Sequence, residues 1–256
     1  MTSPTLAVLN YHLVSYRRTW RGSVFQSFVL PVLFVIGFGM SVGSLVDASG
    51  RLGSTSYLQF IAPAMIASTA MQVAVAEATW PVLARFQWMR VYDSMHSAPL
   101  RVSAILGGDV AFMTLRIVMT SVVFLGVTAV FGAIQSWWSL LVPVIAALIG
   151  LAFAAPLFAL CGAVTTANTF PFVFRFIIVP VSLFSGVFFQ VDTLSPWVRW
   201  LAYVSPLWHG VQLCRAASDD DHGSMLAALG HVGYLLAWIV AGLVLAYVSF
   251  RRRLSD

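Results

Sequence analysis

Lysine is absent from this chain of 256 residues, and all of its side-chain positive charge at neutral pH comes from fourteen arginines. A phosphate-binding loop of the G-x-x-x-x-G-K-S/T kind needs a lysine ammonium against the nucleotide's β- and γ-phosphates, so the chain is not itself a P-loop ATPase. Acidic residues are nearly as scarce. Charged residues of both signs make up 9% of the sequence, against roughly 25% in an ordinary soluble domain. With 60% of residues hydrophobic, the main solvent is expected to be lipid. The two cysteines, Cys161 in an apolar run and Cys214 in a polar connection, show neither metal-ligand spacing nor a disulfide framework. No internal repeat is visible. No polar block between Val24 and Phe250 is large enough to fold separately, which predicts one transmembrane domain over 1–256.

What is present is long apolar runs. A helix needs about 20 apolar residues to cross the hydrocarbon core. Six stretches meet or nearly meet this, 24–46, 58–80, 106–131, 140–165, 170–190 and 225–250, and they predict an all-α polytopic protein with six transmembrane helices. No small-residue cleavage site follows the first run, so that span is expected to persist. The arginines gather at segment ends, which marks topology rather than nucleic-acid binding. With both termini inside, nine arginines fall in inner segments and three in outer ones, which predicts cytoplasmic termini.

Three pieces lie outside the spans. In 5–20, Leu6, Leu9, Leu13, Tyr16 and Trp20 recur at three- and four-residue steps, the pattern of an interfacial amphipathic helix on the inner surface. The segment 81–105 carries Arg85, Arg90, Arg101 and Asp93 among Phe86, Trp88, Met89, Tyr92 and Met95. That mixture suits either a short helix offering apolar side chains to a protein partner or a loop anchored at the interface by Trp80 and Trp88. The segment 191–218 is too broken by Asp192, Pro196, Arg199, Pro206, His209 and Arg215 to span. Its Trp197, Trp200 and Trp208 favour headgroup level, and two short outer helices, 196–203 and 206–217, are expected.

Glu77, Asp109, Arg116 and Arg175 fall inside predicted spans, where a lone ion costs about 3 kcal/mol. Two negatives and two positives predict a neutral intramembrane cluster holding spans two, three and five together, or else an ion pathway. The arginines could also meet an anionic headgroup. The histidines, His12, His96, His209, His222 and His231, are scattered, and no nucleophile, base and metal-ligand set converges, so neither catalytic residues nor a metal site are expected.

Two stretches carry a likeness. Glu77 to Asp109 shows Glu77, Arg85, Arg90, Tyr92, Asp93, Ser94, Met95, Ala98, Pro99, Leu100, Gly108 and Asp109 in order. Leu183 to Arg215 shows Ser185, Gly186, Phe188, Asp192, Pro196, Trp197, Ser205, Pro206, Leu207, His209 and Arg215. Both resemble the membrane (permease) subunits of type-2 ATP-binding-cassette exporters, in the branch of nodulation lipo-oligosaccharide and daunorubicin-type drug exporters. Asp109 stands where many members of that branch have Glu.

The resemblance implies a permease in the bacterial plasma membrane that pairs with a second copy or paralogue, lies among membrane lipid and binds no nucleic acid. It exports an amphipathic drug, glycolipid or lipid-linked saccharide. No cofactor is bound by this chain; ATP and Mg belong to a partner ATPase subunit. The loop 81–105 becomes the coupling helix, with Arg85, Trp88, Met89, Arg90, Tyr92, Asp93 and Met95 against that ATPase. The segment 191–218 becomes the outer re-entrant region with Trp197, Trp200, Pro206 and His209. An ion-coupled secondary transporter using the buried charges is the alternative, although repeated halves and midplane helix breaks are not evident in the sequence.

Overall fold

The N-terminal helix α1 (Pro4–Phe34) begins where the Ser3 hydroxyl accepts from the Leu6 N–H at 3.4 Å and Pro4 pre-sets the first turn. The structure, a computed structural model, describes residues 3–48, 56–98, 100–134, 136–219 and 224–255. Expectations placed on Arg51, Pro99, His222 and Asp256 lie outside the described residues. Helix α1 does not stop at residue 20. The separate interfacial helix expected over 5–20 is the first part of one continuous helix, which runs on through a π-helical turn (Val35–Val42) into α2 (Gly43–Ala48). Arginine is a good helix former, and the one weak position near the junction, Gly22, costs only about 1 kcal/mol relative to alanine, too little to break the run.

Among the described residues no strand occurs. Four helices of the described residues are long and apolar enough to cross a membrane: Tyr57–Gln87, Val102–Val130, Trp137–Ala163 and Met225–Ser255. The first is α3 (Tyr57–Ala78) continued by α4 (Trp80–Gln87) across a kink at Thr79. Pro81 lacks the N–H that would have reached the preceding turn, which accounts for the kink. After the short helix α5 (Val91–Ser97) come α6 (Val102–Val130) and, behind a 3₁₀ turn, α7 (Val142–Ala163). The stretch 170–190 is a shorter helical run than expected. It comprises α8 (Thr169–Val173), a π-helical turn (Phe174–Ile178) and α9 (Val179–Phe184), and it ends before a bend in which Gly186 has φ +77°. Glycine takes that left-handed backbone without strain, which lets the chain leave the helix short of Gln190. The chain closes with α10 (Pro196–Val204), α11 (Pro206–Ser218) and the long α12 (Met225–Ser255).

Helix α7 is the centre of the bundle, packed against α12, α3, α6 and α11, while α1 lies along α6. Small residues set the closest approaches. A Cβ at Gly242 would lie 2.7 Å from the Ala155 Cβ and 2.8 Å from the Pro156 nitrogen, and one at Gly108 would lie 2.4 Å from Val8 Cγ1. The contacts of Val8 with Gly108, of His12 with Asp109 and Phe112, and of Tyr16 with Phe112 advance together along both helices, so α1 and α6 run parallel. The face of α1 that packs is therefore Val8, His12 and Tyr16. Leu6, Leu13 and Trp20, from the expected apolar stripe, remain exposed.

Candidate functional site

Helices α4 and α5 form the connection between α3 and α6. They turn at Arg90, whose backbone sits in the left-handed region with φ 46°, uncommon for a residue other than glycine. That turn pushes Trp88 and Met89 outward, 65% and 64% exposed, with Arg90 and Asp93 exposed beside them. Tyr92 and Phe86 point the other way into the core, and Met95 is partly buried against it. The expectation that all of these side chains face a partner is thus corrected for Tyr92 and Arg85. Both are committed inward, because Asp109 behind them needs their protons.

Asp109, in the first half of α6, is 3% exposed. It accepts from Arg85 Nη1 at 2.7 Å and from the Tyr92 hydroxyl at 2.6 Å, and Arg85 also donates to the Tyr92 oxygen at 3.2 Å. His12 Nε2 of α1 lies 2.8 Å from the same carboxylate. It makes no aligned hydrogen bond there, so the contact is a close approach rather than a hydrogen bond. One carboxylate thus joins α4, α5, α6 and α1. Around it, Phe86 meets Tyr92 and Phe250 edge to face, the Arg253 guanidinium lies 4.4 Å over the Phe86 ring, and the Gln87 amide donates to the Thr165 carbonyl. The connection is therefore tied to α12 and to the end of α7 as well.

The expected four-charge cluster is divided. Arg116 does meet Glu77, at 3.4 Å, and lies 4.7 Å over the Tyr16 ring. Asp109 takes Arg85 instead of Arg116, because seven residues on one helix set Asp109 and Arg116 about 10 Å apart along the axis, while Arg85 reaches across from α4. Arg175 is exposed on the π-helical turn and belongs to neither ion pair. The expectation that Arg175 of span five shares the cluster is corrected accordingly. Between α1, α3, α6 and this turn lies a cavity of about 640 Å³. Its walls include Tyr16, Thr69, Gln72, Glu77, Arg85 and Arg116 on the polar side and Pro31, Phe112, Phe174 and Ile178 on the apolar side.

At the opposite end of the bundle, Trp197 and Trp200 of α10 are 90% and 72% exposed, while Pro206 is buried at the start of α11. His209 is paired, with its Nδ1 2.7 Å from His231 Nδ1 of α12, its Nε2 3.0 Å from the Tyr203 carbonyl and its ring stacked on Tyr234. The carbonyl can only accept, so His209 carries its proton on Nε2, and its Nδ1 accepts from His231 when both rings are neutral. Arg215 donates to the carbonyls of Gly186 and Phe60 and covers the Phe60 ring at 3.8 Å. Among the described residues no group of three or more His, Cys, Asp or Glu is placed to hold a metal. His12, Arg253 and His231 carry contacts that no reading of the sequence singled out. The four-residue step from Val8 through His12 to Tyr16 was the available signal for the first.

Comparison with known proteins bears on the whole chain. The family pattern described as ABC-2 type transporter matches residues 5–217. Nodulation protein J of Rhizobium leguminosarum bv. trifolii is 30% identical over 251 residues, covering 97% of this chain and 93% of its own. Nodulation protein J of Rhizobium meliloti is 27% identical over 252 residues, with 97% and 93% covered. The inner membrane transport permease YadH of Escherichia coli is 26% identical over 200 residues, 75% of this chain and 73% of its own.

Proposed function

This chain belongs to the ABC-2 type transporter family and is an integral membrane protein, and from that premise we propose that it is the permease subunit of an exporter driven by a separate ATPase. In this reading the protein crosses the bacterial plasma membrane six times, with α1–α2 and α8–α9 completing the four long helices, and both termini are cytoplasmic. A second permease, either another copy or a paralogue, completes the pathway. The cargo is an amphipathic drug, glycolipid or lipid-linked saccharide, and ATP and Mg stay on the partner.

The observation that carries the reading is the way the α4–α5 connection is fixed. Its outer surface presents Trp88, Met89, Arg90 and Asp93, while its inner surface is locked through Arg85 and Tyr92 to Asp109. A force applied at the exposed turn passes to α6, α1 and α12 through packed and charge-paired contacts rather than through slack chain. Exposed aromatic and arginine side chains on a rigid base are the groups that dominate protein interfaces. The pairing of Asp109 with Arg85 and of Glu77 with Arg116 favours this reading over an ion relay.

The test compares two tryptophans. In native membranes a Walker-motif ATPase should co-purify with the tagged wild type. A Trp88→Ala/Arg90→Glu variant should lose it by at least about tenfold, the loss of one strong interface anchor, with folding unchanged. Trp197→Ala, at the other end, should retain it. Undiminished co-purification with the Trp88 variant would overturn the docking site.

A further inference from the structure

Helix α1 has a second face that the described residues leave uncovered. Its packed face, Val8, His12 and Tyr16, is turned to α6. Leu6, Leu13, Val14 and Trp20 remain exposed, and so do Arg17, Arg18 and Arg21 beside them. We infer that this face holds the headgroup of an anionic phospholipid from the leaflet through which α1 enters the bilayer, with Arg17 and Arg21 on the phosphate and Leu13, Val14 and Trp20 along the apolar part. The inference needs only a membrane protein and stands apart from the permease reading.

Spacing along the helix brings these side chains together. Leu6, Leu13 and Trp20 follow at seven-residue steps, two helical turns, so they form one stripe. Arg17 lies one turn from Leu13 and from Arg21, and three residues from Val14 and from Trp20, which makes the five neighbours on the helix surface. Two guanidinium forks about 6 Å apart along the axis can close on one phosphate, each presenting a planar pair of N–H donors to its oxygens. The uncharged run of the first span starts directly after Arg21 and lasts to Val46. Both arginines therefore stand at headgroup level, where basic side chains reach lipid phosphates and a tryptophan ring is also favoured.

Charge decides the class of lipid. Residues 1–46 contain no Asp or Glu, so α1 supplies no counter-ion of its own. Of the acids on the helices beside it, Asp109 of α6 takes Arg85 and has His12 against it, and Glu77 of α3 takes Arg116. Among the described residues no acid forms an ion pair with Arg17, Arg18 or Arg21. His12, on the packed face, can only add positive charge when it is protonated. Like charges one turn apart on a helix repel, and an anion between them relieves the repulsion. Phosphatidylglycerol brings one net negative charge. Phosphatidylethanolamine brings the same phosphate with an ammonium that these arginines repel, so the face selects net anionic lipid. A second copy of the chain docked symmetrically through this face would set arginine against arginine.

The test gives the purified full-length chain in detergent equal amounts of phosphatidylglycerol and phosphatidylethanolamine with identical acyl chains. Native mass spectrometry then counts retained lipids and copies of the chain. The wild type should retain phosphatidylglycerol preferentially. Arg17→Gln/Arg21→Gln should reduce that preference about tenfold, as two basic side chains leave an anionic group. Both side chains are exposed, so their loss leaves the packing of α1 on α6 intact. Arg251→Gln/Arg252→Gln removes the same charge from exposed positions at the end of α12 and should keep most of the preference. Equal retention of the two lipids by the wild type, or an equal fall in both double variants, would overturn the inference. Loss of a second copy of the chain, rather than of lipid, in the Arg17→Gln/Arg21→Gln variant would overturn it too, by assigning the face to a protein contact.

Discussion

At the end of the bundle that carries α4 and α5, Asp109 gathers Arg85, Tyr92 and His12 around one carboxylate. At the other end, Arg215 is held by two carbonyls and a phenyl ring, and His209 and His231 share a neutral contact. The chemistry differs in kind. A buried ion pair is strongly directional, and losing one partner strands the other. Carbonyls and aromatic faces accept a shifted cation at little cost. The first arrangement holds its helices in one geometry, and the second tolerates small shifts of the guanidinium.

The largest expected difference comes from breaking the ion pair. Asp109→Asn should leave Arg85 buried without its counter-ion and destabilise the protein by about 3–5 kcal/mol, read as a fall in the thermal unfolding midpoint in detergent. An Arg85→Met/Asp109→Leu pair should recover most of that loss. A double variant as unstable as the single would mean that the carboxylate serves packing rather than charge.

At the opposite end, Arg215→Met should cost less, about 1–3 kcal/mol, because only the carbonyls of Gly186 and Phe60 lose a donor. A loss as large as that of Asp109→Asn would erase the contrast between the two ends.

The smallest effect is one of pH. Burial holds His209 below the usual imidazole range, against the contribution of the Tyr203 carbonyl, and His231 lowers it further. A depressed folded value means that the neutral pair stabilises fully above the unfolded pKa of about 6.5, and that this contribution is lost as pH falls below it. Hydrogen exchange in α10 and α11 should therefore rise on acidification, while exchange in α5 does not. Substituting His231→Gln should flatten the dependence. A pH response that is the same at both ends would show that the histidine pair is not its source.

Much of this was legible in the chain itself. Apolar runs such as Val102–Val130 and Met225–Ser255 can satisfy their backbone in lipid only by becoming helical, so the helical class follows from composition. Ser3 before Pro4 and Ser205 before Pro206 mark helix starts, because a hydroxyl caps the free N–H groups that proline leaves open. That Glu77, Asp109 and Arg116 needed partners was also readable, since no lone ion is stable in that setting. The direction of Tyr92 was not readable. A tyrosine in an arginine-rich connection serves equally well on either face until its neighbours are known.

What the sequence determined alone is thus local or additive: which segments are apolar, where helices start, and that buried charges pair. What only the tertiary structure decided is which partners meet. His12 reaches Asp109 and His209 reaches His231 because α1 lies parallel to α6 and α11 folds back on α12. Such contacts depend on the summed packing of several helices, a quantity that no window of the chain contains.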